Sequence, residues 1–141
     1  MLLGSLYAGM SFANSPVGAV HALAYPVGCW GVPHGLCNSL LLPRVLEYNA
    51  PTASKLYAEL APICFSSINE GTDSQKVDQF IDQISQLSKS LELPQRLSEV
   101  GIEAKDCDFM ASEAMKQTRL LPNNPREVTQ ADAFQIYSEI V

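Results

Sequence analysis

The sequence predicts an all-α fold, a single helical bundle. Three observations predict it. Residues 74–91 carry Val77, Phe80, Ile81, Ile84, Leu87 and Leu91 at intervals of three and four, the period of a helix with one buried face. No alternating run of β-branched residues exceeds about four, so the pattern of a half-buried strand is missing. Prolines and glycines then cut the remaining sequence into segments of helical length.

Each segment has its own logic. Residues 1–13 place Leu3, Leu6, Tyr7, Met10 and Ala13 at helical spacing, beside the small residues Gly4, Ala8 and Gly9. Ser15-Pro16 reads as an N-cap followed by proline in the first turn. The segment 17–25 is then a short helix, apolar all round and so buried on all sides. Two prolines and two glycines make residues 26–33 a loop. A helix is expected from His34 to Tyr48, kinked or split at Pro43. Another is expected over 52–64, with a stripe of Leu56, Tyr57, Leu60 and Cys64. In the 74–91 helix, Asp78, Gln79, Asp82, Gln83, Gln86 and Lys89 form the wet face. Pro94 ends that helix, and Gly101 marks a turn. The spacing predicts a helix over 106–116 capped by Asp106, then a loop from Leu120 to Arg126. Thr129, with Asp132 three residues on, opens the last helix, whose buried stripe is Ala133, Phe134, Tyr137 and Ile140.

Composition narrows the function. The chain has 141 residues, the size of one domain with a real core, and 47% of them are apolar. Its net charge of -6, and the scatter of Lys55, Lys76, Lys89, Lys105 and Lys116, argue against nucleic acid, because phosphate binding needs clustered cations. The apolar start is too short and too interrupted for a membrane span, and no Lys or Arg precedes it as in a secretory leader. It has no basic polar face to lie on a membrane surface. The four cysteines Cys29, Cys37, Cys64 and Cys107 lack CxxC spacing, so they read as reduced thiols in or near the core of a cytoplasmic protein.

The chain has two histidines, His21 and His34. An ionisable group inside an apolar helix is costly without a partner, and a Pro/Gly loop between two buried helix ends can bring the imidazoles together. Imidazole suits iron, zinc, copper and nickel, but a catalytic metal takes at least three protein ligands as a rule. The residues alone leave two readings open: a partial metal site, or one core histidine and one at a helix start.

The run Gly18-Ala19-Val20-His21-Ala22-Leu23-Ala24-Tyr25-Pro26-Val27-Gly28, followed by Val32-Pro33-His34-Gly35-Leu36-Cys37-Asn38, resembles the signature of the iron-containing (group III) alcohol dehydrogenases. Gly4 to Asn14, Leu42-Pro43, Tyr48-Asn49 and Asn124-Pro125-Arg126-Glu127-Val128-Thr129 are also similar to that family, so the likeness covers essentially the whole chain. The resemblance implies the C-terminal helical domain of the dehydroquinate synthase-like fold. It implies an oxidoreductase passing hydride between an alcohol and NAD or NADP, with a divalent metal (Fe2+, or Zn2+) as Lewis acid on the alcohol oxygen. It assigns His21 and His34 as two of four metal ligands. Tyr25 takes a position near substrate, where it would hydrogen-bond substrate or cofactor or simply pack. Leu120 and Leu121 correspond to residues lining the substrate cavity, although leucines beside a turn also pack for stability. Asn124 and Arg126 are expected to shape their loop and anchor the last helix.

The sequence also departs from the family. The nucleotide-binding domain and the other two ligands, an Asp and a His, lie upstream of the matching region, and Met1 aligns with an internal position. The loop between His21 and His34 is one residue shorter, with Cys29-Trp30-Gly31 in place of four residues. Two expectations follow. One is the catalytic C-terminal part of a dehydrogenase, cytoplasmic and homodimeric, completed by a separate N-terminal nucleotide-binding chain. The other is a non-catalytic fragment or dimerisation module with weak metal binding or none, its uncovered apolar face prone to association.

Overall fold

The computed structural model describes residues 1–141 and contains helices only. Helices α1 (Leu2–Asn14), α2 (Ala19–Val27), α3 (His34–Cys64), α4 (Asp73–Ser90), α5 (Cys107–Ala114) and α6 (Gln130–Ser138) are linked by turns, four of which are short 3-10 helices. No helix is long and apolar enough to cross a membrane.

Two apolar clusters organise the chain. The larger joins α2, the first half of α3, α5 and α6 around Leu23, Val27, Leu41, Val45, Met110 and Tyr137. Full burial of one such aliphatic side chain is worth about 1.5–3 kcal/mol. The smaller pins the second half of α3 to α4 through Ala58, Ala61, Val77, Phe80 and Ile81, with Tyr57 tilted and Phe65 edge-on against the Phe80 ring.

Several expectations are corrected. Ser15-Pro16 does not cap α2. That helix starts at Ala19 with Gly18 as its N-cap, and its first amide donates to Asn124 Oδ1 at 3.4 Å. The acceptor comes from a distant residue, so no local spacing reveals it. Helix α2 also runs through Pro26 to Val27, shortening the expected loop, and it leaves Tyr25 59% exposed rather than buried. Helix α3 is one element of 31 residues despite Pro43, Pro51 and Pro62, so neither the split at Pro43 nor the break before residue 52 exists. An interior proline costs about 3 kcal/mol, and packing on both clusters offsets it.

The expected stripe of α3 also faces the wrong way. Leu56, Leu60 and Cys64 are exposed, while Ala53, Ala58 and Ala61 are buried. These small side chains let α4 approach. Leu87 of α4, Leu91 just after it and Phe134 of α6 are exposed as well, and Ile136 takes the buried place assigned to Phe134. Asp106 precedes α5, but its carboxylate accepts from the Glu103 amide rather than capping α5. Only Cys37 and Cys107 lie in the core; Cys29 and Cys64 are exposed, and all four thiols are free. Helix α1 forms as expected but contributes no buried residue.

Candidate metal centre and its cleft

The turn between α2 and α3 sets the site. Gly31 reverses the chain at φ 75°, a left-handed conformation that glycine adopts without a side-chain clash. His21 is the third residue of α2, and His34 is the first of α3. Their ring centres stand 5.2 Å apart, with the rings tilted by 55°. Burial, and then the nearby His34, hold the His21 pKa below the usual imidazole value. A neutral ring keeps a lone pair free for a metal.

Asn38 lies one turn after His34 on α3. Its Nδ2 is 3.4 Å from His21 Nε2 and 3.1 Å from His34 Nε2. Both Nε2 atoms therefore face a common point. The other end of the amide, Oδ1, is buried with no hydrogen-bond partner.

This donor pair fits a divalent metal. Two imidazoles on one tetrahedral ion, with metal–nitrogen bonds of about 2.1 Å, hold their ring centres about 5 Å apart. The observed spacing matches, and so does the convergence of the two Nε2 atoms. No third His, Cys, Asp or Glu completes a group of three around them. The chain therefore offers two converging imidazole donors at this point.

A cleft of about 590 Å³ opens beside His21 and Asn38, between the start of α2, α3, α4 and the Asn123–Pro125 turn. Leu42, Ile84, Leu87 and Leu91 give it an apolar wall. The exposure of Leu87 and Leu91, unexpected for their helical stripe, belongs to this wall. At its polar end Asn49 and Asn124 form a reciprocal amide pair: Asn49 Nδ2 donates to Asn124 Oδ1 at 2.9 Å, and Asn124 Nδ2 donates to Asn49 Oδ1 at 2.7 Å. Asn124 Nδ2 also donates to the Arg126 carbonyl at 2.6 Å. The Arg126 guanidinium donates to the Tyr48 carbonyl and lies 3.9 Å from the centre of the Tyr48 ring. Asn124 and Arg126 thus tie their turn to α2 and α3; the last helix is held instead by its own Thr129–Asp132 capping box.

The remaining sequence-derived candidates lie elsewhere. Tyr25 is one helical turn from His21 but borders a separate hollow with Lys116, Gln117, Arg119 and Leu120. Leu121 packs half-buried against the larger core. The sequence reading missed the bridging position of Asn38. Its signal was the four-residue spacing from His34, which puts both on one helical face.

With this geometry in view, the likeness to known proteins is specific. Residues 1–141 match the Fe-containing alcohol dehydrogenase family, C-terminal. The chain is 30% identical over 138 residues to the lactaldehyde reductase of Escherichia coli (strain K12), covering 97% of this chain and 36% of that protein. It is 31% identical over 140 residues to the 1,3-propanediol dehydrogenase of Klebsiella pneumoniae, covering 99% and 36%. Its fold superposes on a crystal structure of 1,3-propanediol oxidoreductase with a TM-score of 0.91 at 31% identity, over 97% of this chain and 36% of that one. An alcohol dehydrogenase from Oenococcus oeni gives 0.88 at 34% identity, over 95% and 35%. The chain belongs to the Fe-containing alcohol dehydrogenase family. It spans about a third of the length of these relatives, corresponding to their C-terminal part.

Proposed function

We propose that residues 1–141 are the helical metal-binding domain of a metal-dependent alcohol dehydrogenase, an oxidoreductase passing hydride between an alcohol or aldehyde and NAD or NADP. The observation that carries this reading is the convergence of His21 Nε2 and His34 Nε2 on one point, at the edge of an apolar cleft. His21 and His34 would hold Fe2+ or Zn2+, which imidazole accepts alike. The bound metal would polarise the alcohol oxygen as a Lewis acid. The apolar wall of the cleft would exclude water from the carbon end of the substrate. In this reading the other ligands and the nucleotide site come from polypeptide outside these residues, either a separate N-terminal chain or a preceding domain. Tyr25, which borders the neighbouring hollow with Leu120, would hydrogen-bond substrate or cofactor brought in with that polypeptide, and Leu120 and Leu121 would lie on the substrate side of it. A homodimer in the cytoplasm completes the proposal, and four free thiols suit a reducing compartment.

A second reading is favoured by one observation, the lack of a third ligand within the chain. It makes these residues by themselves a non-catalytic module that binds metal weakly. Anaerobic titration with ferrous iron and with zinc, comparing the chain with His21→Ala, separates the two. One-to-one binding that the substitution abolishes is the expected result. Binding in the millimolar range that His21→Ala leaves unchanged would refute the metal centre and leave the second reading.

A further inference from the structure

The position of Asn38 has a consequence for the two rings it bridges. An amide nitrogen carries two hydrogens and donates only. It serves both His21 Nε2 and His34 Nε2, at 3.4 and 3.1 Å, when each of those nitrogens is an acceptor. Each ring then carries its proton on Nδ1. The hydrogen bond made by one ring nitrogen decides which nitrogen bears the proton. Reversing the amide would point Oδ1 at the rings and strand two N–H donors where now one acceptor, Oδ1, lacks a partner. Orphaned buried donors are rarer than under-satisfied carbonyls, which favours the orientation seen.

We propose that Asn38 is a positioning residue: in the metal-free chain its amide holds His21 and His34 with both Nε2 lone pairs unprotonated and aimed at one point, standing where a cation would draw them. This rests on the metal-centre reading for its purpose, but not for its geometry. The position explains why a polar side chain stands one turn after His34 on a helix whose next buried residues, Leu40 and Leu41, are apolar. It also explains how two imidazoles sit close together in the absence of any carboxylate that would hold them.

The test is histidine ring protonation in the chain itself, read by long-range proton–nitrogen NMR correlation on 15N-histidine protein at about pH 9, above the imidazole range. The expected wild-type result is Nδ1–H on both rings. Asn38→Asp keeps the shape but replaces the donor with acceptors, so both rings are expected to switch to Nε2–H. Asn38→Leu removes the donor without adding an acceptor. It is expected to lose the Nδ1–H preference and serves if the aspartate variant does not fold. Wild-type rings carrying Nε2–H would overturn the proposal. So would ring protonation that is the same in the wild type and in whichever variants keep native circular dichroism. The measurement uses no metal. A chain with Nδ1–H rings whose zinc binding is unchanged by His21→Ala refutes the metal centre alone, while zinc binding that His21→Ala abolishes, in a chain with Nε2–H rings, refutes the role of Asn38 alone.

Discussion

Replacing Asn124 with alanine should destabilise the chain well beyond a typical turn substitution. The asparagine accepts from the Ala19 amide and from Asn49 Nδ2, and donates to Asn49 Oδ1 and the Arg126 carbonyl. Asn49 is only 4% exposed, so water replaces the lost partner poorly. Its stranded amide costs about 1–3 kcal/mol. Loss of the acceptor at the start of α2 adds roughly 1 kcal/mol. The expected loss for Asn124→Ala is therefore about 2–4 kcal/mol, measured by urea unfolding followed by far-UV circular dichroism. The double variant Asn49→Ala/Asn124→Ala removes the stranded group too. Its cost should fall short of the sum of the singles by about 1–3 kcal/mol. A single-variant loss below about 1 kcal/mol, or strict additivity, would refute the argument that this pair is a closed, buried hydrogen-bond unit.

Three further outcomes are expected. Burial, and then the neighbouring Cys107 and Cys37 thiols, push the Tyr137 phenol far above its ordinary pKa, and its hydroxyl donates to the Leu23 carbonyl at 2.7 Å. Above about pH 10 the unfolded chain has released this proton while the folded chain keeps it, so stability is whole below that pH and falls by up to about 1.4 kcal/mol per unit above it. Tyr137→Phe should flatten that alkaline slope, and phenolate absorbance from Tyr137 near pH 10 in a still-folded chain would contradict it. Gly18→Ala would bring a Cβ to 3.3 Å from the Asn124 Cα, tighter than ordinary contact, and should cost about 1–2 kcal/mol by urea unfolding; an unchanged midpoint would show that the turn yields freely. Leu6→Glu, on a helix with no buried residue, should leave stability within about 0.5 kcal/mol while lowering self-association in light scattering; a large loss of stability would show that α1 packs in solution.

Local chemistry was the part of the fold visible in sequence. The Thr129–Asp132 capping box forms as its spacing predicts, and Thr72 with Gln75 makes a second one at the start of α4. Both depend on side chains three residues apart, so the information is in the sequence itself. The start of α2 is different, since its acceptor lies 105 residues away on Asn124. Helix α3 is the same lesson in packing terms. Its prolines argue locally for breaks, and its leucines argue locally for the buried stripe. The actual buried face is built from Leu46, Asn49, Ala53, Ala58 and Ala61, because α4 needs small partners there more than large apolar ones.

The candidate site divides along the same line. Being the two histidines of the chain marked His21 and His34 as a pair, but their convergence depends on the turn at Gly31 and on Asn38. Spacing placed Tyr25 on the face of His21, yet the two border different cavities. The start of α2 ties these facts together. His21 lies in the first turn of that helix, and the amide that begins the turn is held by Asn124, which is itself locked to Asn49 in the middle of α3. His34 begins the same α3. The two ring positions are therefore referenced to one rigid helix, one directly and the other through a buried amide pair. Loosening that pair shifts His21 against His34 and opens the polar end of the cleft at the same time. Stability and the placement of the two imidazoles thus depend on the same few hydrogen bonds, and Asn124→Ala should weaken their convergence even where the chain stays folded.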